Sequence, residues 1–155
     1  MPNIYQGALD NPRGRFAIVV SRYNESVTSR LLSGALARLA EGGVPDGSID
    51  VAWTPGAWEL PLIADRLAHG GRYAAVIALG AVIRGETTHD QHINRAVSLA
   101  LAQSAVHSGV PVLFGLLTCD TLEQALERSA AGAGNKGAEC AAAALEMAGL
   151  LKILP

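Results

Sequence analysis

Residues Ala74–Ile83, AAVIALGAVI, form the longest unbroken apolar run in the chain. The run is too short to span a bilayer as a helix, which takes about 20 residues. A strand with one wet face alternates apolar and polar side chains. A run without alternation fits a strand covered on both faces, as in a parallel sheet. Read this way, Ala74–Ile83 is the central strand of an α/β protein, and its neighbours must supply helices for both faces.

The flanking segments have that character. RFAIVV (Arg15–Val20) reads as a second buried strand. In NESVTSRLLSGALARLAEGG, Val27, Leu31, Ala35 and Leu39 recur every four residues, which predicts a helix stopped by Gly42 and Gly43. SIDVAWT alternates Ile49, Val51 and Trp53 on one face, a strand, and ELPLIADRLAHGG is a helix with another double-glycine stop. Beyond the central run, Gln91–Ser108 predicts a helix ending at Gly109, VPVLFGLLT a strand, and DTLEQALERSAAG a helix opening with a capping box of Thr121 and Gln124. NKGAECAAAALEMAGLLKIL is a last, alanine-rich helix. Four strand–helix units plus one helix imply a flavodoxin-like three-layer α/β/α sandwich with a four-stranded parallel sheet. Residues 1–14 read as an N-terminal arm, with NPRG as a turn, and residues 15–155 as a single domain.

Composition narrows the function. A chain of 155 residues suits one domain and buries roughly 70% of its unfolded surface. Net charge is -2, with no block of like charge. That argues against a nucleic-acid binder, whose footprint is a basic patch, and against a polybasic membrane surface. Cys119 and Cys140 match no zinc spacing and cannot form a disulfide framework. The first residues hold no apolar run behind basic ones, so no signal peptide is expected, and a reducing cytoplasm is the expected compartment.

Ligands of open α/β sheets bind outside the carboxyl ends of the strands. Four segments fall there: SRYNES, TPGAWELP, GAVIRGETTHDQH and LTCDT. Tyr23 offers an aromatic platform for a flat ligand with Asn24 beside it; equally, Asn24 or Ser26 caps the next helix. Trp58 and Glu59 lie between Pro55 and Pro61, with Gly56 allowing a turn. Glu59 then presents a carboxylate to hydroxyls or ring N–H groups, or else Trp58 is packed and Glu59 is a first-turn acid favoured by the helix dipole. Gly85, Glu86, Thr87 and Thr88 precede a helix, where free backbone N–H groups suit a phosphate. His89 stands at the loop–helix junction with a side chain suited to proton transfer near neutrality. His92 lies three residues on, and a metal reading would need Glu86 or Asp90 as third ligand. GAGNKG (Gly132–Gly137) matches GxGxxG formally but follows a helix rather than a strand, so no dinucleotide site is read there. Lysine occurs only at 136 and 152, which leaves Lys136 as the one candidate for a Schiff base to the protein. Cys119 is either a thiol at the site's edge or a buried bystander.

RYNESVTSRLLSGAL, PGAWELP, ALGAVIRGETTH, VPVLFGLLTCDTLEQALERS and AGNKGAECAAAALEM, taken together and in register from about Arg15 to Leu150, resemble the lumazine synthase family. The resemblance implies condensation of 5-amino-6-(D-ribitylamino)uracil with 3,4-dihydroxy-2-butanone 4-phosphate to 6,7-dimethyl-8-ribityllumazine, the penultimate step of riboflavin biosynthesis. The imine joins the two substrates, so the resemblance implies no cofactor and no metal. It implies that Tyr23 stacks on the pyrimidine, that Ala57, Trp58 and Glu59 hold the ribityl chain and ring edge, and that the Ala81, Val82 and Ile83 backbone lies beside the ring. Gly85, Glu86 and Thr87 then form the phosphate turn, and His89 is the catalytic histidine. Phe114 and Arg128 come from a neighbouring subunit, with Lys136 as a basic residue near the phosphate. After His89 the family pattern of an aromatic, an acid and a Tyr or His is replaced by Asp90, Gln91 and His92. That change keeps open a catalytically weak relative that binds flavin or lumazine; a related riboflavin synthase is a third reading. The resemblance further implies a pentamer, a 60-subunit icosahedral shell given the short RSAAGAGNKG turn, riboflavin synthase as a partner, and an arm adding a strand to a neighbour's sheet. Neither nucleic acid nor membrane is implied.

Overall fold

The computed structural model describes residues 1–10 and 14–155; the NPRG turn therefore lies largely outside the described residues. Four parallel strands, β1 (Arg15–Ser21), β2 (Ile49–Thr54), β3 (Tyr73–Ile83) and β4 (Val112–Cys119), form one sheet in the order β2-β1-β3-β4. The helices are α1 (Glu25–Glu41), α2 (Leu60–His69), α3 (His89–Ser108), α4 (Leu122–Arg128) and α5 (Lys136–Ile153). The expected α/β architecture is present, with the apolar run at the centre of the sheet.

Both faces of β1 and β3 are covered. Phe16, Ile18 and Val20 join Ile77 and Leu79 against α1 and α5. Ala17 and Val19 join Val76 and Ala78 against α2 and α3. This two-sided burial is why β3 shows no alternation. Val27, Leu31, Ala35 and Leu39 are all fully buried, as their spacing predicts. Each buried Leu or Val side chain contributes about 1.5–3 kcal/mol relative to exposure.

Helices α1 and α5 approach closely at Gly137, where any Cβ would run into the Leu31 carbonyl. Strand β2 is one edge of the sheet, and the Val51 and Trp53 face that alternation marks as apolar is only partly covered in the single chain (39% and 38% exposed). In the arm, Gly7–Leu9 lies over α5 near Glu146–Leu150 and against Gly42 at the end of α1, while residues 1–6 are exposed and carry no strand. At the opposite end of the strands from the ligand segments, Arg15 and Tyr73 both hold the Asp50 carboxylate, at 2.8 and 2.7 Å, which ties the starts of β2, β1 and β3 together.

Candidate active site

The segments leaving β1, β2 and β3 converge on a cleft of about 600 Å³, within the usual range for small-molecule sites. It is lined by Tyr23, Asn24, Pro55, Gly56, Ala57, Trp58, Glu59, Ala81, Val82, Ile83, Gly85, Thr87, His89, Asp90 and Ile93.

Tyr23 is placed by its backbone. The Arg22 N–H donates to the Thr54 carbonyl at 2.8 Å and the Tyr23 N–H to the Pro55 carbonyl at 3.0 Å. The β1–β2 hydrogen bonding thus continues past the strand, and the Tyr23 ring is delivered beside Pro55, 72% exposed. Asn24 sits at the N-cap position of α1 but makes no side-chain cap, contrary to the capping alternative. Its backbone is left-handed, and its side-chain amide donates instead to the Ala81 carbonyl at 2.9 Å.

After β2, the buried Thr54 hydroxyl donates to the Gly56 carbonyl at 2.9 Å. Gly56 is extended (φ -147°), so it does not supply the expected turn. A Cβ there would meet only the end of the Glu59 side chain, at 3.3 Å. Ala57–Glu59 forms a 3₁₀ turn into α2, with Pro61 in the first helical turn. Ala57 is buried, but Trp58 is 61% exposed and lines the cleft, which overturns the packed-tryptophan alternative. Glu59 lines the cleft from the N-cap position of α2, so the dipole and ligand-facing readings describe one placement.

After β3, helix α3 begins at His89, two residues before the expected start. The Thr87 hydroxyl accepts from the His89 N–H at 3.3 Å. Gly85, Thr87 and His89 face the cleft, whereas Glu86 and His92 are exposed and lie outside its lining. The Arg84 guanidinium stands 4.0 Å from Asp120, and both are largely exposed. Among the described residues no three His, Cys, Asp or Glu side chains are grouped to hold a metal.

Phe114, Arg128 and Lys136 do not reach this cleft. Phe114 projects from β4, 41% exposed. Arg128 closes α4, with a guanidinium nitrogen 3.6 Å from the Cys119 sulfur. Lys136 opens α5, 3.7 Å from the Glu139 carboxylate. Cys119 is buried and lies outside the cleft lining. Burial pushes the Cys140 thiol up to about 11, leaving it inert near neutrality.

A sequence model of the 6,7-dimethyl-8-ribityllumazine synthase family matches residues 13–152. The chain belongs to this family. It is thus an enzyme of the lumazine-forming condensation, with small-molecule substrates. Among the described residues no helix is long and apolar enough to cross a membrane.

For a lumazine synthase, the charge of this cleft is informative. It carries the carboxyl groups of Glu59 and Asp90 and the imidazole of His89, and no Lys or Arg lines it. Sequence reasoning raised Asp90 as a possible metal ligand or stand-in for the family's acid without placing it among the binding residues, and did not raise Ile93. Their signal was helical phase: with α3 starting at His89, positions 89, 90 and 93 share the face turned to the cleft.

Proposed function

We propose that the cleft is the pyrimidine half of the lumazine synthase site, and that a neighbouring subunit completes the phosphate half. The observation that carries this reading is the partition just described. Tyr23, Ala57, Trp58, Glu59, Ala81, Val82 and Ile83 come together with His89, while Phe114, Arg128 and Lys136 stay apart. Tyr23 supplies a π face for the ring. Glu59 accepts hydrogen bonds from ribityl hydroxyls or ring N–H groups. Gly85 and Thr87 offer a turn to the phosphate, with Glu86 turned to solvent, and Arg128 of an adjacent copy brings the planar fork that suits a phosphate.

In the reaction, the pyrimidine amine adds to the ketone carbonyl, and water leaves to give an imine joining the two substrates. Loss of a proton from the carbon next to the imine accompanies departure of the phosphate. The enol so formed takes up a proton at its terminal carbon and becomes a ketone, and the ribityl-bearing nitrogen adds to that carbonyl to close the second ring, again with loss of water. His89 is assigned to the proton transfers, for which a positioned imidazole gives roughly 10²–10⁴-fold. Holding both substrates in contact supplies much of the remaining acceleration.

Assembly belongs to the same proposal. A cleft lined by no Lys or Arg of its own chain favours a homo-oligomeric site, and family membership supports a pentamer as its smallest form. The short turn between α4 and α5 favours closure of pentamers into a 60-subunit shell. The exposed β2 edge, with Val51 and Trp53 partly uncovered, suits an added strand from a neighbour's arm. A cytoplasmic location and an association with riboflavin synthase complete the reading. The test is to mix the protein with both substrates, following lumazine absorbance and phosphate release, with sedimentation in parallel. Turnover by a species no larger than a monomer would refute the shared site. Flavin binding without turnover would refute the assignment of the catalytic groups.

A further inference from the structure

Among the described residues Asn24 is the one non-glycine with positive φ (63°). Left-handed backbone is disfavoured wherever a Cβ is present, and asparagine tolerates it better than most residues. The conformation has a visible result. The Asn24 carbonyl accepts from the Val27 and Thr28 N–H groups at 2.9 and 3.0 Å, starting α1, while its side chain turns back to the sheet. There the amide nitrogen donates to the Ala81 carbonyl at 2.9 Å.

The register explains why a side chain is needed at that point. Strand β1 pairs with β3 as far as Val20 opposite Leu79. Beyond it the β1 backbone swings towards β2, and the Arg22 and Tyr23 N–H groups are spent on the Thr54 and Pro55 carbonyls. Ala81 is 2% exposed, so a carbonyl left without a donor there would be costly. The Asn24 amide takes the place of the missing strand donor. One turn is thereby tied to the exits of β2 and β3 at once.

We propose that Asn24 is a positioning residue for the pyrimidine half-site, setting the spacing between the Tyr23 ring and the Ala81–Ile83 backbone. It acts through those two groups, and the proposal rests on assigning the cleft to the pyrimidine. A ring held between an aromatic face and a strand backbone is sensitive to that spacing, because contact energy falls steeply with sub-ångström gaps.

The test compares Asn24→Gly and Asn24→Asp with the wild-type enzyme. The probes are an unreactive ribitylaminopyrimidinedione analogue, read by intrinsic fluorescence, and KM for each substrate. Asn24→Gly keeps the left-handed turn and removes the donor. It should weaken analogue binding by about 5–10-fold, the effect of one net hydrogen bond, with KM for the phosphate ketone near wild type and a lower melting temperature from the orphaned Ala81 carbonyl. Asn24→Asp sets a carboxylate against the Ala81 carbonyl, so binding at neutral pH should fall further. As pH drops towards about 4–5, the introduced carboxyl protonates, can donate, and the deficit relative to wild type at the same pH should close. A purely architectural role would not produce that closure. Wild-type binding in Asn24→Gly, or a pH-independent deficit in Asn24→Asp that follows its melting temperature, overturns the proposal. If the wild-type protein itself does not bind the analogue, the cleft assignment fails instead, and the proposal with it. Should Asn24→Gly not fold, the pH dependence of Asn24→Asp decides alone.

Discussion

Removing the Asn135 side chain should cost stability in an amount that the structure allows to be worked out. Asn135 is 1% exposed and lies between Arg128 and Lys136, the two cations assigned to the phosphate. Its carbonyl oxygen accepts from the Ala138 N–H at 3.0 Å, capping α5. Its amide donates to the Ser129 carbonyl at 2.9 Å and the Arg30 carbonyl at 3.1 Å, joining the end of α4 to α1. Loss of a cap costs about 0.5–2 kcal/mol. The Arg30 carbonyl lies within α1, where the helical ladder also uses it, but the Ser129 carbonyl would be orphaned at about 1–3 kcal/mol. The sum for Asn135→Ala is roughly 1.5–5 kcal/mol, or about 3–20 °C in melting temperature for a chain of this size. Asn135→Ser keeps a capping oxygen but is too short to reach both carbonyls, so it should lose about 1 kcal/mol less. Both variants should also raise KM for the phosphate substrate, since Arg128 and Lys136 flank the hub. The assay is urea unfolding at one fixed protein concentration, because assembly adds to apparent stability. Losses within about 0.5 kcal/mol of zero for both variants, the range of an ordinary surface change, would refute the reasoning.

Three further outcomes follow from the site and the fold. His89→Ala should slow lumazine formation by roughly 10²–10⁴-fold while analogue affinity stays near wild type; an unchanged rate removes His89 from the proton transfers. Arg128→Ala should raise KM for the phosphate substrate far more than KM for the pyrimidine, and mixing it with an inactive His89→Ala enzyme should recover activity if the two residues serve one site from different chains. Asp50 is held below the usual carboxylate range first by the hydrogen bond from Arg15 and then by that from Tyr73. A depressed folded value means that the stabilisation is complete above about pH 4 and is lost as pH falls through the lower folded value. Asp50→Asn should therefore flatten the acid limb of stability measured by denaturant midpoint against pH, and an unchanged limb would count against the network.

How much was legible in the sequence depended on whether a residue's partner lay nearby in the chain. The uninterrupted apolar run at Ala74–Ile83, the four-residue spacing of α1 and the Thr121–Gln124 capping box are local signals, and the structure reproduces all three. The convergence of PGAWELP and GAVIRGETTH on one cleft was readable from the rule for strand ends. Features that failed to show depended on distant partners. Asn24 looked like a helix cap because its true acceptor, Ala81, is 57 positions away.

The same reasoning bears on the departure at Asp90 and Gln91. Helix phase turns Asp90 into the cleft with His89, while Gln91 and His92 are exposed and outside it. The acid that the family pattern places one residue later has thus no counterpart at position 91, but a carboxyl group still stands in the first turn of α3 beside the histidine. A carboxylate there is favoured by the helix dipole. An acid moved by one residue approaches the ring from another direction, so its influence on proton transfer is a matter of geometry rather than of presence. The change at Asp90 and Gln91 therefore bears on the rate of the condensation rather than on the identity of the product.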